Sequence, residues 1–473
     1  MTPPGASATS GDATGSGSRR RTSWLFALAT ALHGLVFLLA LPPWMGEDEP
    51  WHLEYASHVA AGYRPWGGQE LKRPGSDQQD PRVAMSSSQL QVLRRFHAIP
   101  AERVSSTQRA ILASMAQRGF YQRVDWAGIE PERSTFDQIT ADFTATKNPP
   151  LYYLLAGGWI RLWGADSVEG QLRAGRLLSW LLYVATALAA LAFARTVFDD
   201  ERAALCTAAL VAFLPMSARQ AAVVSNDVLA KLCATLVLWL AARRMRGQAR
   251  SWELGLAIVL CVLGMLSKPT ATGSVAALIL ALFMASRHVE VRLRPLHAAL
   301  LVLVMAGATA LVRVFQHDPT VPRTVGRFLA RIEQSLDLAV WTKFGRTLAG
   351  SFGWESRYLP GAVNVVLGLL SLCGLALCCW RGSRAALRPV LTWCGAVVAV
   401  QLLLIGLHGV ALGRYLIPAL PALAVLLVAG MVSSWPERLR SRAAGLFLGA
   451  LLAYDALFLW GGLLLHEALL LSI

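Results

Sequence analysis

Three consecutive carboxylates follow the first long apolar segment of the chain. Glu47, Asp48 and Glu49 stand shortly after the run that ends at Pro43. Acidic side chains are costly to place near hydrocarbon, so acids at the end of a membrane helix need either solvent or a function. A solvated acidic turn is the simple interpretation. The alternative is an acid/base centre at a membrane surface, where a carboxylate removes the proton from an incoming hydroxyl group.

Other polar residues recur at the ends of later apolar segments or in the loops beside them. Each alone has a structural explanation, because lysine and arginine anchor helix ends at a membrane surface and Asn226-Asp227 predicts a helix N-cap. Because all of them stand at span ends or in the adjoining loops, we predict that their side chains lie close together at one end of the protein. The set comprises His52, Lys147, Asn148, Asn226, Asp227, Lys268, Glu355, Arg357, Arg414 and Tyr415.

Composition places the chain in the class of helical membrane proteins. Hydrophobic residues make up 55% and charged residues 15% of the sequence, and the apolar runs reach the length of about 17–25 residues that crosses a bilayer. This predicts an all-α bundle, because a helix satisfies its own backbone hydrogen bonds in lipid. The net charge of +15 comes from short basic clusters between apolar runs, as membrane orientation requires. We therefore expect a membrane and no nucleic acid as partner, and we interpret the cysteines as apolar fillers.

The apolar pattern predicts about eleven transmembrane spans. We expect a disordered cytoplasmic N-terminus over residues 1–22, a transmembrane domain over 23–465 and a tail over 466–473. The first outer loop covers 44–147 and contains predicted surface helices at Ser86–His97 and Ser105–Gly119, and a second long outer loop covers 316–360. The predicted spans are Trp24–Pro43, Leu172–Ala194, Ala203–Arg219, Val228–Ala242, Trp252–Leu266, Thr270–Ala285, Leu296–Phe315, Gly361–Trp380, Val390–Leu412, Tyr415–Val432 and Ala443–Leu465.

Residues 148–164 form a shorter apolar segment that decides the topology. At about 14 apolar residues the segment resembles an interfacial helix more than a span. If it does not cross, the later basic clusters fall on the same side as Arg19, as the positive-inside rule requires. We therefore place it on the outer surface, and the polar set lies on the extracytoplasmic side of the plasma (inner) membrane.

The order of these motifs resembles the GT-C superfamily of membrane glycosyltransferases. The similarity extends over roughly residues 24–430, and it is nearest to bacterial relatives of protein mannosyltransferases and lipid A aminoarabinose transferases. Each motif is short, and the ordered set carries the resemblance. The motifs are Asp48-Glu49 with His52 and Tyr55, then Asn148-Pro149-Pro150-Leu151-Tyr152-Tyr153, Ser225-Asn226-Asp227, Ser267-Lys268 and Gly413-Arg414-Tyr415.

The resemblance implies an inverting transferase that moves a sugar from a polyprenyl-phosphate-linked donor to an envelope lipid, glycan or protein acceptor. Asp48 would be the catalytic base, with Glu49 and Asp227 as the other catalytic acids. Lys147, Lys268 and Arg414 would contact the donor phosphate. The other substrate-binding candidates are His52, Asn148, Asn226, Arg357 and Tyr415. No cofactor is assigned, and a divalent metal bound by Asp48 and Asp227 stays an open alternative.

Two other classes of membrane protein remain as alternatives. A secondary transporter would need discontinuous helices and polar residues at the membrane midplane in two related halves, and the sequence shows neither. A polysaccharide polymerase or ligase would also have many helices and a large outer loop. It has no need for an acidic pair directly after the first helix.

Overall fold

The computed structural model describes the chain in separate ranges. These are residues 12–46, 48–62, 106–118, 148–288, 338–349, 351–352, 357–358, 369, 373–374, 376, 387–408 and 413–460. The α-helices in this part of the chain, in order, are α1 (Asp12–Ala40), α2 (Glu49–Ala60), α3 (Ser106–Gln117), α4 (Leu151–Leu162), α5 (Val168–Val197), α6 (Glu201–Phe213), α7 (Pro215–Ala221), α8 (Asp227–Met245), α9 (Ser251–Ser267), α10 (Thr272–His288), α11 (Leu338–Ala349), α12 (Arg388–His408), α13 (Leu420–Val428) and α14 (Glu437–Phe458).

Short elements of other kinds connect some of these helices. Turns of 3₁₀-helix precede α10 and α13 at Pro269–Ala271 and Gly413–Ala419, and a π-helical turn at Ala429–Ser433 follows α13. The strands β1 (Ser351–Phe352) and β2 (Arg357–Tyr358) pair antiparallel, with Ser351 opposite Tyr358. The described fold is therefore an α-helical bundle, as the composition predicts.

Five helical segments of the described chain are long and apolar enough to cross a membrane, judged by length and composition. A sixth is counted if α6 and α7, which meet at a bend of 57°, form one broken span. The five segments are Gly17–Ala40, Val168–Val197, Arg388–Gly406, Gly413–Ser433 and Glu437–Phe458. The predicted total of about eleven is not established, because α9 and α10 are shorter and the predicted spans Leu296–Phe315 and Gly361–Trp380 lie wholly or mostly outside the described residues.

Helix α8 lies at the centre of the bundle. It packs along α5, α9 and α10, and it buries small residues such as Ala230, Ala234 and Ala241. Small side chains let helix backbones approach closely, which favours helix association in membranes. The central position of α8 holds its first residue, Asp227, among the neighbouring helices.

The start of α1 differs from the sequence prediction. Composition predicts disorder through residue 22, yet α1 begins at Asp12. The Arg195 guanidinium donates to the Ser23 hydroxyl at 2.7 Å and to the Arg19 carbonyl at 3.2 Å. The end of α5 therefore binds the start of α1, and a polar composition alone could not reveal this contact.

Arginines gather at one end of the bundle. Arg195 at the end of α5 pairs with Glu201 at the start of α6, and Arg440 near the start of α14 lies 3.4 Å from Asp200. At the opposite end, Arg176 on α5 donates to the carbonyl of Leu41, just after α1. We call these two ends the basic end and the site end.

Helix α4 stays at the site end. Gly157 on α4 packs so closely against α2 that an added Cβ atom would lie 2.8 Å from the Ala56 carbonyl oxygen. The Trp159 indole donates to the Ala174 carbonyl near the start of α5 at 2.9 Å. Helix α4 therefore lies beside α2 and the first turns of α5, a placement that suits the predicted surface helix. Its position in a membrane stays a prediction.

Candidate functional site

Asp48 lies in a tight turn between α1 and α2. Its φ angle is 59°, in the left-handed region that Asp tolerates better than most residues because of its short polar side chain. Helix α2 then begins at Glu49 with Pro50 in its first turn, and the Asp48 side chain makes no capping bond to this helix. Instead its carboxylate accepts a hydrogen bond from Arg414 Nη2 at 2.8 Å. The turn thus aims the carboxylate away from its own helix.

Glu49, the next residue, has a different environment. Arg176 donates to both Glu49 carboxylate oxygens, at 2.8 and 2.7 Å, and the Val224 backbone N–H donates at 3.1 Å. The Glu49 side chain is fully buried, and the remaining Arg176 donors reach the carbonyls of Leu41 and Pro42. The catalytic role predicted for Glu49 stays untested, but these contacts indicate a structural ion pair.

Arg414 is held by backbone contacts on both sides. The Gly413 N–H donates to the Thr347 hydroxyl on α11 at 2.7 Å, and the Gln401 amide on α12 donates to the Tyr415 carbonyl at 2.7 Å. An added Cβ on Gly413 would lie 2.1 Å from the Leu348 backbone nitrogen. Only glycine fits there, which explains its position directly before the arginine.

A second ion pair lies beside the first. Lys268 Nζ, just after α9, lies 2.6 Å from an Asp227 carboxylate oxygen at the start of α8. Both cations contact the same aromatic ring, with Lys268 Nζ 5.5 Å and Arg414 Cζ 5.6 Å from the Tyr415 ring centre. Tyr415 therefore brings the two ion pairs together.

His52 lies among these charges on the first turn of α2. Its Nδ1 atom lies 2.7 Å from the Tyr153 hydroxyl, and the Asn148 side chain lies near enough to lower the pKa of that hydroxyl. Burial lowers the pKa of His52 to about 4, while Asp48 and Asp227 raise it and Lys268 and Arg414 lower it further. His52 is therefore a neutral imidazole near pH 7, close enough to feel all four charges.

The Asp227 carboxylate precedes the predicted span Val228–Ala242. Burial alone would raise the pKa of Asp227, but the charges of Lys268 and Arg414 and the hydrogen bond from Lys268 bring it below its ordinary value. The Ser225 hydroxyl also donates to this carboxylate at 3.2 Å. Asp227 is thus an ionised group that balances the two cations.

Asn226 stands at the N-cap position of α8, as the sequence predicts, but without the capping bond. The capping bond is missing because the side-chain amide donates to the Ser267 carbonyl at 3.0 Å. The Ser225 hydroxyl accepts from the Asp227 N–H instead. Asn226 Oδ1 is buried without a hydrogen-bond partner in the described structure, so it can accept a hydrogen bond from a ligand.

No group of three or more His, Cys, Asp or Glu side chains in the described ranges could hold a metal ion. Asp48 and Asp227 each already bond a basic side chain. Two carboxylates fall short of the six or more oxygen ligands that Mg²⁺ or Ca²⁺ requires. The described residues do not fit a metal centre, and the metal alternative stays untested.

Most of the predicted site residues that the structure describes come together. Asp48, His52, Asn148, Asp227, Lys268, Arg414 and Tyr415 form the cluster, and Asn226 lies at its edge. Glu47, Lys147 and Glu355 lie outside the described residues, and Arg357 is described only as part of β2.

Sequence reasoning missed several residues that matter here. Arg176 looked like an ordinary arginine at a helix start. Tyr153 was part of a motif, but nothing indicated that its hydroxyl would contact His52. A partly buried histidine also meets an acid inside the bundle, where His33 Nε2 lies 2.7 Å from Asp455 Oδ2 and Nδ1 lies 3.0 Å from the Tyr183 hydroxyl. A helical wheel of α1 would have shown His33, but not its distant partner on α14.

Comparison with known proteins assigns the chain to one protein family. The sequence matches none of the curated proteins. The profile of one family, described as Predicted membrane protein (DUF2142), matches residues 31–423, a range that includes every member of the cluster. The description agrees with the apolar helices of the bundle. The chain belongs to this family of membrane proteins.

Proposed function

We propose that the chain is a glycosyltransferase that moves a sugar from a polyprenyl-phosphate-linked donor to an envelope lipid, glycan or protein acceptor. The observation that carries the proposal is the pairing of two carboxylates with two cations around His52, namely Asp48 with Arg414 and Asp227 with Lys268. These residues come from distant parts of the sequence. Their convergence at one end of an apolar bundle favours chemistry on a lipid-linked substrate.

The two cations suit the leaving phosphate of such a donor. Arg414 and Lys268 lie on one aromatic ring and are mostly buried, with side-chain exposures of 12% and 13%. A phosphate gains negative charge as its bond to the sugar breaks, and fixed cations in a poorly hydrated site stabilise that charge. The neutral His52 can donate or accept a hydrogen bond there without adding charge.

Asp48 is the better placed of the two acids to act as base. Its side chain is 27% exposed, whereas that of Asp227 is 8% exposed. In the proposed reaction the Asp48 carboxylate takes the proton of the acceptor hydroxyl, whose oxygen attacks the anomeric carbon. The bond from that carbon to the phosphate oxygen breaks, and the phosphate leaves with the electron pair, giving inversion. Binding of the phosphate to Arg414 would free the Asp48 carboxylate for this role.

A transporter is the second candidate function, and one observation favours it. The His33–Asp455 pair lies between α1 and α14, two candidate spans, and ionisable residues inside a membrane bundle often belong to proton or solute pathways. A polysaccharide polymerase or ligase would use the same lipid-linked chemistry and differs only in the acceptor.

The test is a transfer assay with purified protein in lipid nanodiscs. Polyprenyl phosphates that carry a hexose, a pentose or an aminopentose serve as donors, with an extract of envelope lipids and glycans as acceptor. We expect release of polyprenyl phosphate and a mass increase of one sugar in an acceptor, detected by mass spectrometry. The same envelope fraction from cells without the protein should lack that product. Unchanged envelope glycans and no donor turnover would contradict the proposal.

The proposed outer-face location has its own test. Asp166→Cys, after α4, and Gln248→Cys, after α8, introduce single thiols at two exposed loop positions of an otherwise cysteine-free chain. An impermeant thiol reagent added to whole cells should label only the first variant. Labelling of the second variant alone would invert the topology.

A further inference from the structure

Gln220, on the last turn of α7, is a buried amide that lacks hydrogen bonds. Only 7% of the residue is exposed, and neither its Nε2 nor its Oε1 atom has a partner within the described structure. A buried donor or acceptor without a partner is unfavourable, and native proteins retain few of them without a reason. Ligand binding is such a reason.

The neighbours of Gln220 place it beside the candidate site. Ser217 lies one turn earlier on α7, and its hydroxyl accepts from Lys231 Nζ at 2.8 Å. Residues three apart on a helix share a face, so Gln220 lies on the side of α7 that meets α8. Lys231 follows Asp227 by one turn of α8, so Asp227 and Lys231 also share a face.

A second contact connects this region to the Asp48 turn. The Gln220 carbonyl accepts from the Val223 N–H at 3.4 Å, and an added Cβ on Gly46 would lie 2.1 Å from Val223 Cγ1. The segment after α7 thus packs directly on the turn that holds Asp48. Gln220, Ser217 and Lys231 form a polar strip that continues from the ion pairs into the bundle.

The chemistry of the strip selects a class of ligand. The Gln220 amide offers one acceptor and one donor group, and Ser217 offers a hydroxyl. An anionic phosphate could bond the amide N–H groups but would repel the amide oxygen. Neighbouring hydroxyl groups satisfy both, because each hydroxyl donates and accepts. Lys231 is also buried, and its partner in the described ranges is a neutral hydroxyl.

We infer that Gln220, together with Ser217 and Lys231, binds hydroxyl groups of the sugar that is transferred. The inference rests on the proposed function and adds a sugar subsite to it. The donor phosphate lies at Arg414 and Lys268, and the sugar extends about one helical turn deeper along α8. Gln220 then determines which sugar is accepted.

The test compares two buried glutamines. Gln401 is 2% exposed and donates to the Tyr415 carbonyl, so its amide is used by the fold. Gln220→Leu removes unpartnered polar atoms and should leave the melting temperature unchanged or higher. Gln401→Leu removes a partner from a buried carbonyl and should lower it. Gln220→Met, of similar length, replaces Gln220→Leu if the branched side chain impairs folding.

Ligand binding gives the second readout, with a bare polyprenyl monophosphate and the same lipid carrying a hexose, a pentose or an aminopentose. We expect wild type to bind one sugar-linked lipid more tightly than the bare lipid. Loss of two hydrogen bonds should weaken binding of that lipid to Gln220→Leu by about 10- to 100-fold. Binding of the bare lipid, which depends on Arg414 and Lys268, should not change.

Three outcomes would overturn the inference. If Gln220→Leu keeps the wild-type preference for the sugar-linked lipid, the proposed function stands and the sugar subsite is wrong. If wild type binds all these lipids equally, the protein does not recognise the sugar and the proposed subsite is also wrong. If wild type binds none of them, the proposed function fails and the subsite with it.

Discussion

The site end and the basic end of the bundle both contain ion pairs, yet the pairs differ in kind. At the basic end, Arg195 pairs with Glu201 and Arg243 with Glu253, six and ten residues apart in the sequence. Each of these two pairs joins a helix to the next one along the chain, while a third basic-end pair, Arg440 with Asp200, joins residues 240 apart. At the site end, Asp48 and Arg414 are 366 residues apart and join the turn before α2 to the segment before α13.

Solvent exposure separates the most exposed basic-end pair from a buried site-end pair, although Glu253 at the basic end is also only 6% exposed. At the basic end, Asp199, the partner of Arg246, is 83% exposed, whereas at the site end Asp227 is 8% and Lys268 13% exposed. Surface ion pairs contribute little to stability, while a buried pair requires that both charges leave water. The exposed Arg246–Asp199 pair therefore needs no explanation beyond the orientation of its helices in the membrane. The buried site-end pairs need another reason, and ligand binding is the one that we propose.

The largest difference between the two ends should appear in catalysis. Asp48→Asn keeps the shape of the side chain and removes the basic oxygen. Because loss of a general base typically costs about 10²–10⁴-fold in rate, we expect sugar transfer to fall by that factor. The variant should still insert and still bind the polyprenyl donor. Initial rates of transfer in nanodiscs measure the effect.

Asp199→Asn is the matched control at the basic end. Asp199 also accepts from an arginine, Arg246, at 3.1 Å, but it lies far from the site motifs. We expect its transfer rate to stay within twofold of wild type, as is usual for an exposed pair. If both variants transfer at the wild-type rate, Asp48 is not the base and Asp227 becomes the acid to test.

Glu49, next to Asp48, should reveal a structural effect instead. Glu49→Gln leaves the buried Arg176 guanidinium without its counter-charge. Breaking one partner of a buried pair typically costs about 3–5 kcal/mol, so we expect a large loss in the free energy of unfolding. The transfer rate per folded molecule should change much less than in Asp48→Asn. Chemical unfolding in detergent gives the first quantity, and a normal unfolding free energy with lost activity would return Glu49 to the catalytic group.

The pair Asp48 and Glu49 shows how far the sequence could lead. The position of two acids after the first apolar segment was enough to predict a polar centre at that level. Which acid faces the site depends on the left-handed turn at Asp48 and on Arg176 from another helix. The spacing of residues in the sequence reveals neither the turn nor the Arg176 contact, because both result from tertiary packing.

The same limit applies to the rest of the site. Lys268 and Arg414 could be predicted as site residues because each stands at the end of a predicted span, within one of the ordered motifs. Gln220 could not, because a glutamine inside an apolar segment shows no signal until its amide is found without partners. Helical periodicity did predict α3, which begins at Ser106 within the expected Ser105–Gly119.

Substitutions of Lys268 test whether the site end binds the donor phosphate. A charge-assisted hydrogen bond contributes about 1.5–3 kcal/mol, so Lys268→Ala should weaken binding of bare polyprenyl phosphate by roughly 10- to 100-fold. Lys268→Arg should retain part of this affinity, because it keeps the charge with a different geometry. Lipid titration followed by intrinsic fluorescence would measure both. Equal affinity in wild type and Lys268→Ala would make Lys268 a helix anchor only.

His52 makes the stability of the site end depend on pH. Its pKa is about 4 in the fold and 6.5 ordinarily, so the unfolded chain takes up the proton first as pH falls. The contribution of neutral His52 to the free energy of unfolding is therefore fully present above about pH 6.5 and is lost towards pH 4. At pH 5 the loss is roughly 2 kcal/mol. His52→Gln should remove most of this slope. Unfolding midpoints at pH 7 and pH 5 test it, and identical slopes would show that His52 titrates normally.

The smallest effect should come from a basic-end pair that is only partly buried. Arg243 donates to both Glu253 carboxylate oxygens at 3.0 and 2.9 Å, and the side chains are 25% and 6% exposed, respectively. Because water still reaches Arg243, Glu253→Gln should cost less in unfolding free energy than the about 3–5 kcal/mol expected for Glu49→Gln and leave sugar transfer unchanged. Added salt should reduce the difference from wild type only slightly, since partly buried charges are weakly screened. A loss as large as that of Glu49→Gln would mean that burial does not separate the two ends, and the functional argument for the site-end pairs would lose its basis.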